Sequence, residues 1–446
     1  MVDAKFIPTA DGNTPDVRKA LLQEAQKQHI KNNPVSFDLY KSGLAHMPGA
    51  NTRSVLHVQP FPITIARGES AKLVDVDGHK YLDFLGEFSA GVYGHSSPVI
   101  KKAIIDALNK GWNFGGKNEY EAMLAKILVD RFSYSMDSIR FCNSGTEANL
   151  MALGAAVNFT RKQKILAFQN SYHGSTLTFF AHESKYTLNS YKDFVVAPYN
   201  DISETQAMVS NLPPESLAAI IVEPMQVSGG CIPGTSEFLK LLRDLATKHK
   251  AVLIFDEVMT SRLHYGGLQV KHDIKPDMTT IGKWAGGGMS FGAFGGRHEI
   301  MQLFDPRENK LAHAGTFNNN VVTMAAGIAG CTILDEALAS SLNERGDRLR
   351  HEIAELIQKR LPVMYKPGYV GNIMATRGLG SLFVIGFVGP ESSSLQALLY
   401  HHLLEQGIFI AARGFLALTI EITDQHFQPL LSALDGFIDR YKGALN

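Results

Sequence analysis

The feature that most constrains the fold is a short apolar run that stops at two carboxylates, Ala251-Val-Leu-Ile-Phe-Asp-Glu257. A continuous apolar run of this length is typical of a strand that is buried on both faces of a parallel sheet. A second short run, Thr279-Thr-Ile-Gly-Lys283, ends in an amine. Ligands of open α/β sheets bind beyond the carboxyl ends of the strands, so the carboxylate and the amine are predicted to face one pocket.

An amine and a carboxylate in one pocket suit the chemistry of pyridoxal phosphate (PLP). This cofactor needs a lysine amine that forms a Schiff base with it and a carboxylate that holds its pyridine nitrogen protonated. Lys283 is the candidate for the first role, and Asp256 is the candidate for the second. The alternative interpretation is a surface lysine and an aspartate that caps a helix.

Length and charge limit the classes of protein to which this chain can belong. Its 446 residues exceed the roughly 250–300 residues at which one hydrophobic core stops growing, so we expect at least two domains. The 43 Lys and Arg residues balance 43 Asp and Glu residues, so the net charge does not indicate nucleic acid or an anionic membrane as a partner. No apolar run approaches the roughly 20 residues that span a bilayer, and we expect no signal peptide.

The cysteines indicate a reducing compartment. Cys142, Cys231 and Cys331 are odd in number and far apart, which fits neither a disulfide framework nor the spacing of zinc ligands. We therefore expect a cytoplasmic protein without a metal site.

The order of the predicted elements favours an α/β fold. Short apolar or β-branched strands recur along the middle of the chain, at 164–168, 218–222, 251–256 and 279–282. Helices lie between them, which predicts a mainly parallel sheet flanked by helices. A smaller α+β domain is predicted from the N- and C-terminal segments. The predicted segments are an N-terminal arm with part of the small domain at 1–85, a large cofactor-binding domain at 86–335 and the C-terminal small domain at 336–446.

A second candidate site lies where a strand ends in Asn143-Ser-Gly-Thr-Glu-Ala-Asn149 and a helix follows. The free N–H groups and the dipole of a helix N-terminus attract a phosphate. The hydroxyls of Ser144 and Thr146 add donors, and Gly145 lets the backbone approach closely. The alternative is an ordinary Ser or Thr helix cap. The segment is not a Walker A loop, and the absence of Gly-x-Gly-x-x-Gly after a strand disfavours a nicotinamide dehydrogenase.

Three further residues are candidates for ligand contacts. Tyr172, in Ser171-Tyr-His-Gly174, follows a strand and is a candidate either for stacking on a flat ring or for ordinary packing. Thr316 offers a second hydroxyl at the start of a helix. Arg53 lies in a loop, where a guanidinium either clamps a carboxylate or is simply solvated.

Taken together, the residues resemble the class III aminotransferases of PLP fold type I over nearly the whole chain. The motifs that carry the resemblance occur in the order of that family: Asn143–Asn149, Ser171–Gly174, Val222-Glu-Pro224, Phe255–Thr260, Gly282-Lys283 and Ala314-Gly-Thr-Phe317. One similar branch is glutamate-1-semialdehyde aminomutase, through Met47–Asn51 and Asp256–Thr260. The β-phenylalanine and other β-amino-acid aminotransferases are more similar, through Ala50–Val55, Ala90–His95, Glu257–Leu263, Gly286–Gly296 and Arg413–Phe415.

The resemblance implies a role for each candidate residue. It assigns Lys283 to the Schiff base and Asp256 to the pyridine nitrogen. The remaining assignments are phosphate contacts at Ser144, Gly145 and Thr146, contacts with the two ring faces at Tyr172 and Val258, a contact with the phosphate of the neighbouring subunit's cofactor at Thr316, and substrate carboxylates at Arg53 and Arg413.

The resemblance also implies the reaction. We expect a homodimeric, PLP-dependent aminotransferase that moves an amino group from a β-amino acid, aromatic ones included, to an α-keto acid such as 2-oxoglutarate or pyruvate. One rival is a 2,1-aminomutase of the glutamate-1-semialdehyde type, which needs no separate acceptor. Another is a PLP-fold binding protein that has lost catalysis.

The chain departs from the β-amino-acid branch at three places. They are Gly115-Gly-Lys-Asn118, the segment 184–195, and Glu421, where a less polar residue is expected. These departures leave the side chain of the amino donor open.

Overall fold

The computed structural model describes residues 15–180, 193–366 and 369–445. The chain divides into two compact units. The large unit is Ser89–Tyr93 with Ser97–Asn343, and the small unit is Met1–Phe88, Gly94–Ser96 and Glu344–Asn446, in each case for the described residues. The segments 1–85, 86–335 and 336–446 remain our prediction for the domains.

The elements are numbered in chain order. The helices are α1 (Pro15–Asn32), α2 (Pro34–Leu44), α3 (Pro98–Lys110), α4 (Glu119–Arg131), α5 (Gly145–Thr160), α6 (Ile202–Ser210), α7 (Ser236–Lys248), α8 (Leu268–Lys271), α9 (His298–Met301), α10 (Val321–Ile333), α11 (Glu336–Arg360), α12 (Ser392–Glu405) and α13 (Phe427–Arg440). The strands are β1 (Ile65–Glu69), β2 (Lys72–Asp75), β3 (Lys80–Asp83), β4 (Ser138–Cys142), β5 (Lys164–Phe168), β6 (Phe194–Ala197), β7 (Leu217–Val222), β8 (Met225–Gln226), β9 (Ile232–Pro233), β10 (Val252–Asp256), β11 (Met278–Gly282), β12 (Gly292–Gly296), β13 (Met364–Lys366), β14 (Tyr369–Gly371), β15 (Met374–Leu379), β16 (Leu382–Phe387), β17 (Ile408–Phe409) and β18 (Phe415–Ala417).

A seven-stranded sheet organises the large unit, in the order β4-β12-β11-β10-β7-β5-β6. Strands β11, β10, β7, β5 and β6 are parallel, whereas β12 runs antiparallel to both β11 and β4. The four strands predicted from the sequence correspond to β5, β7, β10 and β11. The predicted α/β class with a mainly parallel sheet is therefore confirmed.

Strand β7 is apolar throughout, and β10 is apolar up to Asp256, because helices cover both faces of the sheet. Side chains alternate along β10, so that Leu253 and Phe255 join the core on one face while Ile254 joins the core on the other. Helix α7 covers the first face with residues such as Phe238, and α5 covers the second with residues such as Ala152. Burial on both faces explains why the run before Asp256 lacks the polar alternation of a one-sided sheet.

The small unit combines the two ends of the chain. Strands β1, β2 and β3 form an antiparallel meander, and β17 adds to it in parallel with β3, where Ile408 is opposite Leu82. A second sheet has the order β15-β16-β18. At the chain ends, the Nε of Arg18 donates to the carbonyl of Ala444 at 2.7 Å. Strands with helices α12 and α13 give the α+β character that was predicted for this part.

Over the three described ranges, no single helix is both long and apolar enough to cross a membrane, and the bent pair α10 and α11 satisfies the length and composition criteria only when it is taken together.

A pair of buried histidines lies between helix and loop segments of the small unit. The Nε2 of His29 lies 3.0 Å from the carbonyl oxygen of Phe61, and its ring centroid lies 5.1 Å from that of His401. The Nε2 of His401 in turn lies 3.0 Å from the carbonyl oxygen of Gln59. Burial, with a further contribution from the neighbouring His401, lowers the pKa of His29 from 6.5 to about 4.

This depressed pKa predicts a loss of stability in mild acid. Between about pH 6.5 and about pH 4 the unfolded chain binds a proton at His29 that the folded chain does not, so the free energy of unfolding falls as the pH is lowered. The full difference between the two pKa values of His29, 6.5 and about 4, corresponds to on the order of 3 kcal/mol in the free energy of unfolding. The free energy of unfolding of His29→Gln, measured across this pH window, should fall less than that of the wild type. The exposed His298→Gln is the control, and equal pH slopes in the wild type and His29→Gln would contradict the prediction.

Candidate active site

Asp256 ends strand β10 and is only 5% exposed. Its Oδ2 accepts hydrogen bonds from the Nδ2 of Asn149 at 2.7 Å and the Nδ1 of His173 at 2.8 Å, and its Oδ1 accepts from the N–H of Val258 at 3.0 Å. A carboxylate has about four lone-pair positions, so these donors leave room for one further cationic N–H group. A protonated ring nitrogen is a donor of that kind.

Asn149 and His173 are functional candidates that the sequence analysis quoted inside motifs without giving them a role. Asn149 lies one helical turn after Gly145 on α5, and its Oδ1 accepts from the Oγ1 of Thr280 at 2.7 Å. Its Nδ2 also donates to the carbonyl of His173 at 3.0 Å. Asn149 therefore ties the helix, strand β11 and the Asp256 carboxylate together, and the turn spacing from Gly145 was the available signal.

Lys283 follows β11 directly, and its backbone is left-handed with a φ of 54°. A non-glycine residue in this region costs roughly 1–3 kcal/mol and persists where its surroundings fix it. Trp284 supplies that fixation. Its Nε1 donates to the Oγ of Ser261, and its carbonyl accepts from the hydroxyl of Tyr93, both at 2.9 Å. The guanidinium of Arg131 lies 4.2 Å from the Trp284 ring centroid.

The N-terminus of α5 forms the candidate phosphate site. Ser144 is the N-cap, and its hydroxyl oxygen accepts from the N–H of Glu147 at 3.2 Å. The first N–H groups of a helix, here those of Gly145 and Thr146, have no partner within the helix and point toward a bound anion. A Cβ added to Gly145 would lie 2.8 Å from the Val258 side chain, so only glycine allows this contact. The start of α5 at Gly145 thereby lies against Val258, whose backbone N–H donates to Asp256.

Tyr172 precedes His173 and keeps its ring accessible. The side chain is 40% exposed, and its ring centroid lies 6.4 Å from that of Phe180. Its backbone N–H donates to the Oε1 of Glu223 at 2.9 Å, which fixes the segment. An accessible ring favours the stacking interpretation over core packing.

The loop with Thr316 is joined to the phosphate site by a side-chain bridge. Thr316 itself is exposed. The Oδ1 of Asn318 accepts from the Nδ2 of Asn143 at 2.9 Å, and the Nδ1 of His313 accepts from the Nε of Arg140 at 3.1 Å. Burial, together with the charge of Arg140, lowers the pKa of His313. The hydrogen bond between Asn143 and Asn318 thus links the loop before α5 to the loop before α10.

Arg53 and Arg413 both belong to the small unit, and the structure brings them to one aromatic ring. The guanidinium of Arg53 lies 5.1 Å and that of Arg413 5.9 Å from the ring centroid of Phe88. Arg413 also lies 5.6 Å from the ring of Phe415. The Nη1 of Arg53 donates to the Oε1 of Glu87 at 2.5 Å. The other candidates, from Ser144 to Thr316, lie in the large unit.

The structure gives a local role to two of the three departures. Glu421 accepts from the Oγ of Ser70 at 2.5 Å, which accounts for a polar residue there. Asn118 caps α4, and its Nδ2 donates to the carbonyl of Asn319 at 2.8 Å. Residues 184–192 of the third departure lie outside the described residues.

Comparison with known proteins agrees with this geometry. The family described as aminotransferase class-III matches residues 54–437. The β-phenylalanine transaminase of Variovorax paradoxus is 47% identical over 435 residues, which are 95% of this chain and 97% of that one. A solved structure of a β-phenylalanine aminotransferase from V. paradoxus has a TM-score of 0.90 at 45% identity and covers 96% of this chain and 98% of its own.

A more distant relative comes from the other branch that the sequence resembles. The glutamate-1-semialdehyde 2,1-aminomutase of Methanosarcina acetivorans is 34% identical over 411 residues, which are 85% of this chain and 92% of that one. The family match spans most of the chain, and the ends of β10 and β11 carry the carboxylate and the amine where the family motifs place them. The chain therefore belongs to the class III aminotransferases.

Proposed function

We propose that this aminotransferase moves the amino group of a β-amino acid with an aromatic or other apolar side chain to an α-keto acid such as 2-oxoglutarate or pyruvate, with PLP as its cofactor. The observation that carries the proposal is the buried Asp256 carboxylate with its three N–H donors, one strand away from Lys283. The similarity to β-phenylalanine transaminase supports the choice of the amino donor.

The residues of the large unit fit PLP at each of its polar ends. Asp256 offers a carboxylate to the ring nitrogen, and the N-terminus of α5 offers N–H groups to the phosphate. Lys283 offers an amine at the end of the neighbouring strand. When bound, PLP supplies an electron-poor ring that takes up the negative charge left on the substrate carbon when its proton is removed.

Each side chain has a distinct task in this proposal. Lys283 holds the cofactor through its ε-amine and moves the proton at the carbon that bears the substrate's amino group. Asn149 and His173 orient Asp256, which keeps the ring nitrogen protonated. Further contacts are proposed for the remaining residues: Ser144, Gly145 and Thr146 with the phosphate, and Tyr172 and Val258 with the two ring faces.

A homodimer is part of the proposal, because Thr316 is assigned to the phosphate of the neighbouring subunit's cofactor. The loops around Thr316 expose large apolar side chains, with Trp112 68% and Phe317 58% exposed. The Nδ2 of Asn319 links these loops by donating to the carbonyl of Gly116 at 3.3 Å. Exposed apolar side chains that cluster on one surface favour contact with another protein, here a second copy of the chain.

We also propose a cytoplasmic location. Cys142, Cys231 and Cys331 are buried thiols that form no disulfide. Free thiols of this kind are typical of a reducing compartment.

The rival reaction is the intramolecular transfer of an aminomutase, which the 34% identical relative keeps in consideration. An aminomutase turns over a single amino-aldehyde without a keto-acid acceptor. The rival without catalysis, a PLP-fold binding protein, conflicts with an intact Lys283 and Asp256. Dependence of the turnover on an added keto acid separates the transaminase from both.

The first test concerns Lys283. Lys283→Ala should lower the rate by at least about a thousandfold, since the proton transfer loses its base, while the phosphate contacts still retain some PLP. Borohydride reduction, which fixes a Schiff base to its lysine, followed by peptide mass analysis of the wild type should place the label on Lys283. The exposed Lys271→Ala serves as the control, and a label on another lysine would refute the assignment.

The second test concerns the charge of Asp256. Asp256→Asn should reduce kcat by about a hundredfold or more, because the neutral amide no longer keeps the ring nitrogen protonated. The measurement is the rate of the first half-reaction together with the absorbance spectrum of the bound cofactor. Asp38→Asn, on a side chain that is 74% exposed, provides a matched control. Wild-type activity and spectrum in Asp256→Asn would assign the nitrogen partner to another residue.

The third test concerns the substrate class. A panel of α- and β-amino acids with 2-oxoglutarate or pyruvate should give keto products from aromatic β-amino acids only when an acceptor is present. Arg53→Ala should lower kcat/KM for the β-amino acid by roughly thirtyfold or more, because a bidentate, charge-assisted pair is lost. Arg53→Lys keeps the charge but not the bidentate geometry, so its kcat/KM should lie between that of the wild type and that of Arg53→Ala. Turnover without an acceptor, or unchanged kinetics in Arg53→Ala on every β-amino acid, would contradict the proposal.

A further inference from the structure

The Arg53 guanidinium, which is assigned to the substrate carboxylate, forms an ion pair with the carboxylate of Glu87. The Nη1 of Arg53 and the Oε1 of Glu87 are 2.5 Å apart, and the two side chains are 44% and 56% exposed. The Arg53 guanidinium is therefore accessible to a dissolved anion. A substrate carboxylate that binds Arg53 meets Glu87 as a competitor.

The position of Glu87 is fixed by its backbone. Glu87 and Phe88 are both left-handed, with φ of 47° and 51°, which is uncommon for non-glycine residues. A Cβ on the preceding Gly86 would lie 2.5 Å from the carbonyl oxygen of Ala417, so only glycine permits this approach. The Oδ1 of the buried Asp83 accepts from the N–H of Gly86 at 3.1 Å. A strained turn that packing holds in place indicates a function for the side chain it presents.

Phe88 places both arginines beside the same turn. Its ring lies 6.4 Å from that of Phe415, with an angle of 14° between the planes, and the guanidinium groups of Arg53 and Arg413 both lie within 6 Å of its centroid. The guanidinium groups of Arg53 and Arg413 therefore share one aromatic ring, and Arg53 also forms the ion pair with Glu87. Because Glu87 is paired with Arg53, an anion that approaches this guanidinium meets a group that already has a carboxylate partner.

We propose that Glu87 is a specificity-determining residue whose carboxylate competes with the substrate carboxylate for Arg53. The inference rests on the proposed function, in which Arg53 binds the amino donor. A donor with a well-placed carboxylate displaces Glu87 and forms a bidentate pair with the guanidinium. An amine without a carboxylate leaves the Arg53–Glu87 pair intact, so the arginine keeps a counter-ion while that amine is bound.

The size of the effect follows from the exposure of the pair. Half-exposed ion pairs contribute little, which corresponds to a factor of about two to five in an equilibrium constant. A bidentate, charge-assisted contact with a ligand is stronger. Glu87 therefore lowers the affinity for carboxylates without preventing their binding.

The test uses 3-phenylpropanoate, which carries the carboxylate of an aromatic β-amino acid but has no amino group to transfer. Its dissociation constant for the holoenzyme is measured by calorimetry and, separately, as a competitive inhibition constant. Glu87→Gln should bind it about two- to fivefold more tightly than the wild type, since the amide cannot neutralise Arg53. Glu69→Gln, which also removes an exposed carboxylate of the small unit, should leave the constant unchanged.

A second arm uses 1-phenylethylamine, an amino donor without a carboxylate. Its kcat/KM should fall in Glu87→Gln by a similar factor, because Arg53 then lacks a counter-ion beside the bound amine. Competition predicts that Glu87→Gln raises the affinity for 3-phenylpropanoate and lowers kcat/KM for 1-phenylethylamine. A general structural defect would weaken both ligands, and that outcome overturns the inference.

Double mutants separate this inference from the proposed function. In an Arg53→Ala background, Glu87→Gln should no longer change the binding of 3-phenylpropanoate. If Arg53→Ala weakens binding but Glu87→Gln has no effect, the role of Glu87 is refuted and that of Arg53 stands. If Arg53→Ala itself does not change the binding of 3-phenylpropanoate, the proposed roles of Arg53 and Glu87 are both refuted. Glu87→Ala repeats the test where the glutamine variant does not fold, and it should shift both ligands in the same directions as Glu87→Gln.

Discussion

The polar network of the large unit is built around a buried carboxylate at the end of a strand, that of Asp256. Burying an unpaired charge costs far more than a single hydrogen bond returns, so Asp256 requires several donors at once. They come from separate parts of the chain, namely Asn149 on α5 and His173 in the loop after β5. Thr280 is the parallel-strand neighbour of Asp256 and also bonds Asn149, so the sheet register itself sets this arrangement.

The same sheet explains why the chemistry lies where it does. Helices cover both faces of the central strands, which leaves the strand ends as the places where polar side chains meet. A one-residue slip of β11 against β10 would exchange the faces of its side chains and remove Thr280 from Asn149. The register that buries the apolar residues is thus also the register that builds the polar network.

Part of the candidate site follows from the sequence because it depends on the order of residues along the chain. Asp256 ends a short apolar run, Lys283 follows a short β-branched run, and Gly145 opens a helix after a strand, so each position was predictable from its neighbours along the chain. Other parts depend on contacts between distant segments. Apolar periodicity does not reveal that Asn149 would reach Asp256, that Arg53 would pair with Glu87, or that β17 would join β3. The oxygen of Ser144 turned out to accept the hydrogen bond of an ordinary helix cap, which the sequence had left as one of two alternatives.

A left-handed backbone occurs at one candidate functional position in each unit, and contacts within the protein hold both positions. Lys283 is left-handed and is followed by Trp284, which Ser261 and Tyr93 fix through hydrogen bonds. Glu87 is left-handed in a turn that Asp83 anchors. Packing within the protein compensates the strain. In the proposed function, the Lys283 amine and the Glu87 carboxylate are therefore placed before substrate arrives, and less reorganisation remains for the binding step. A ligand then competes with preset contacts, and its affinity is set by the difference between the contacts it makes and those it replaces.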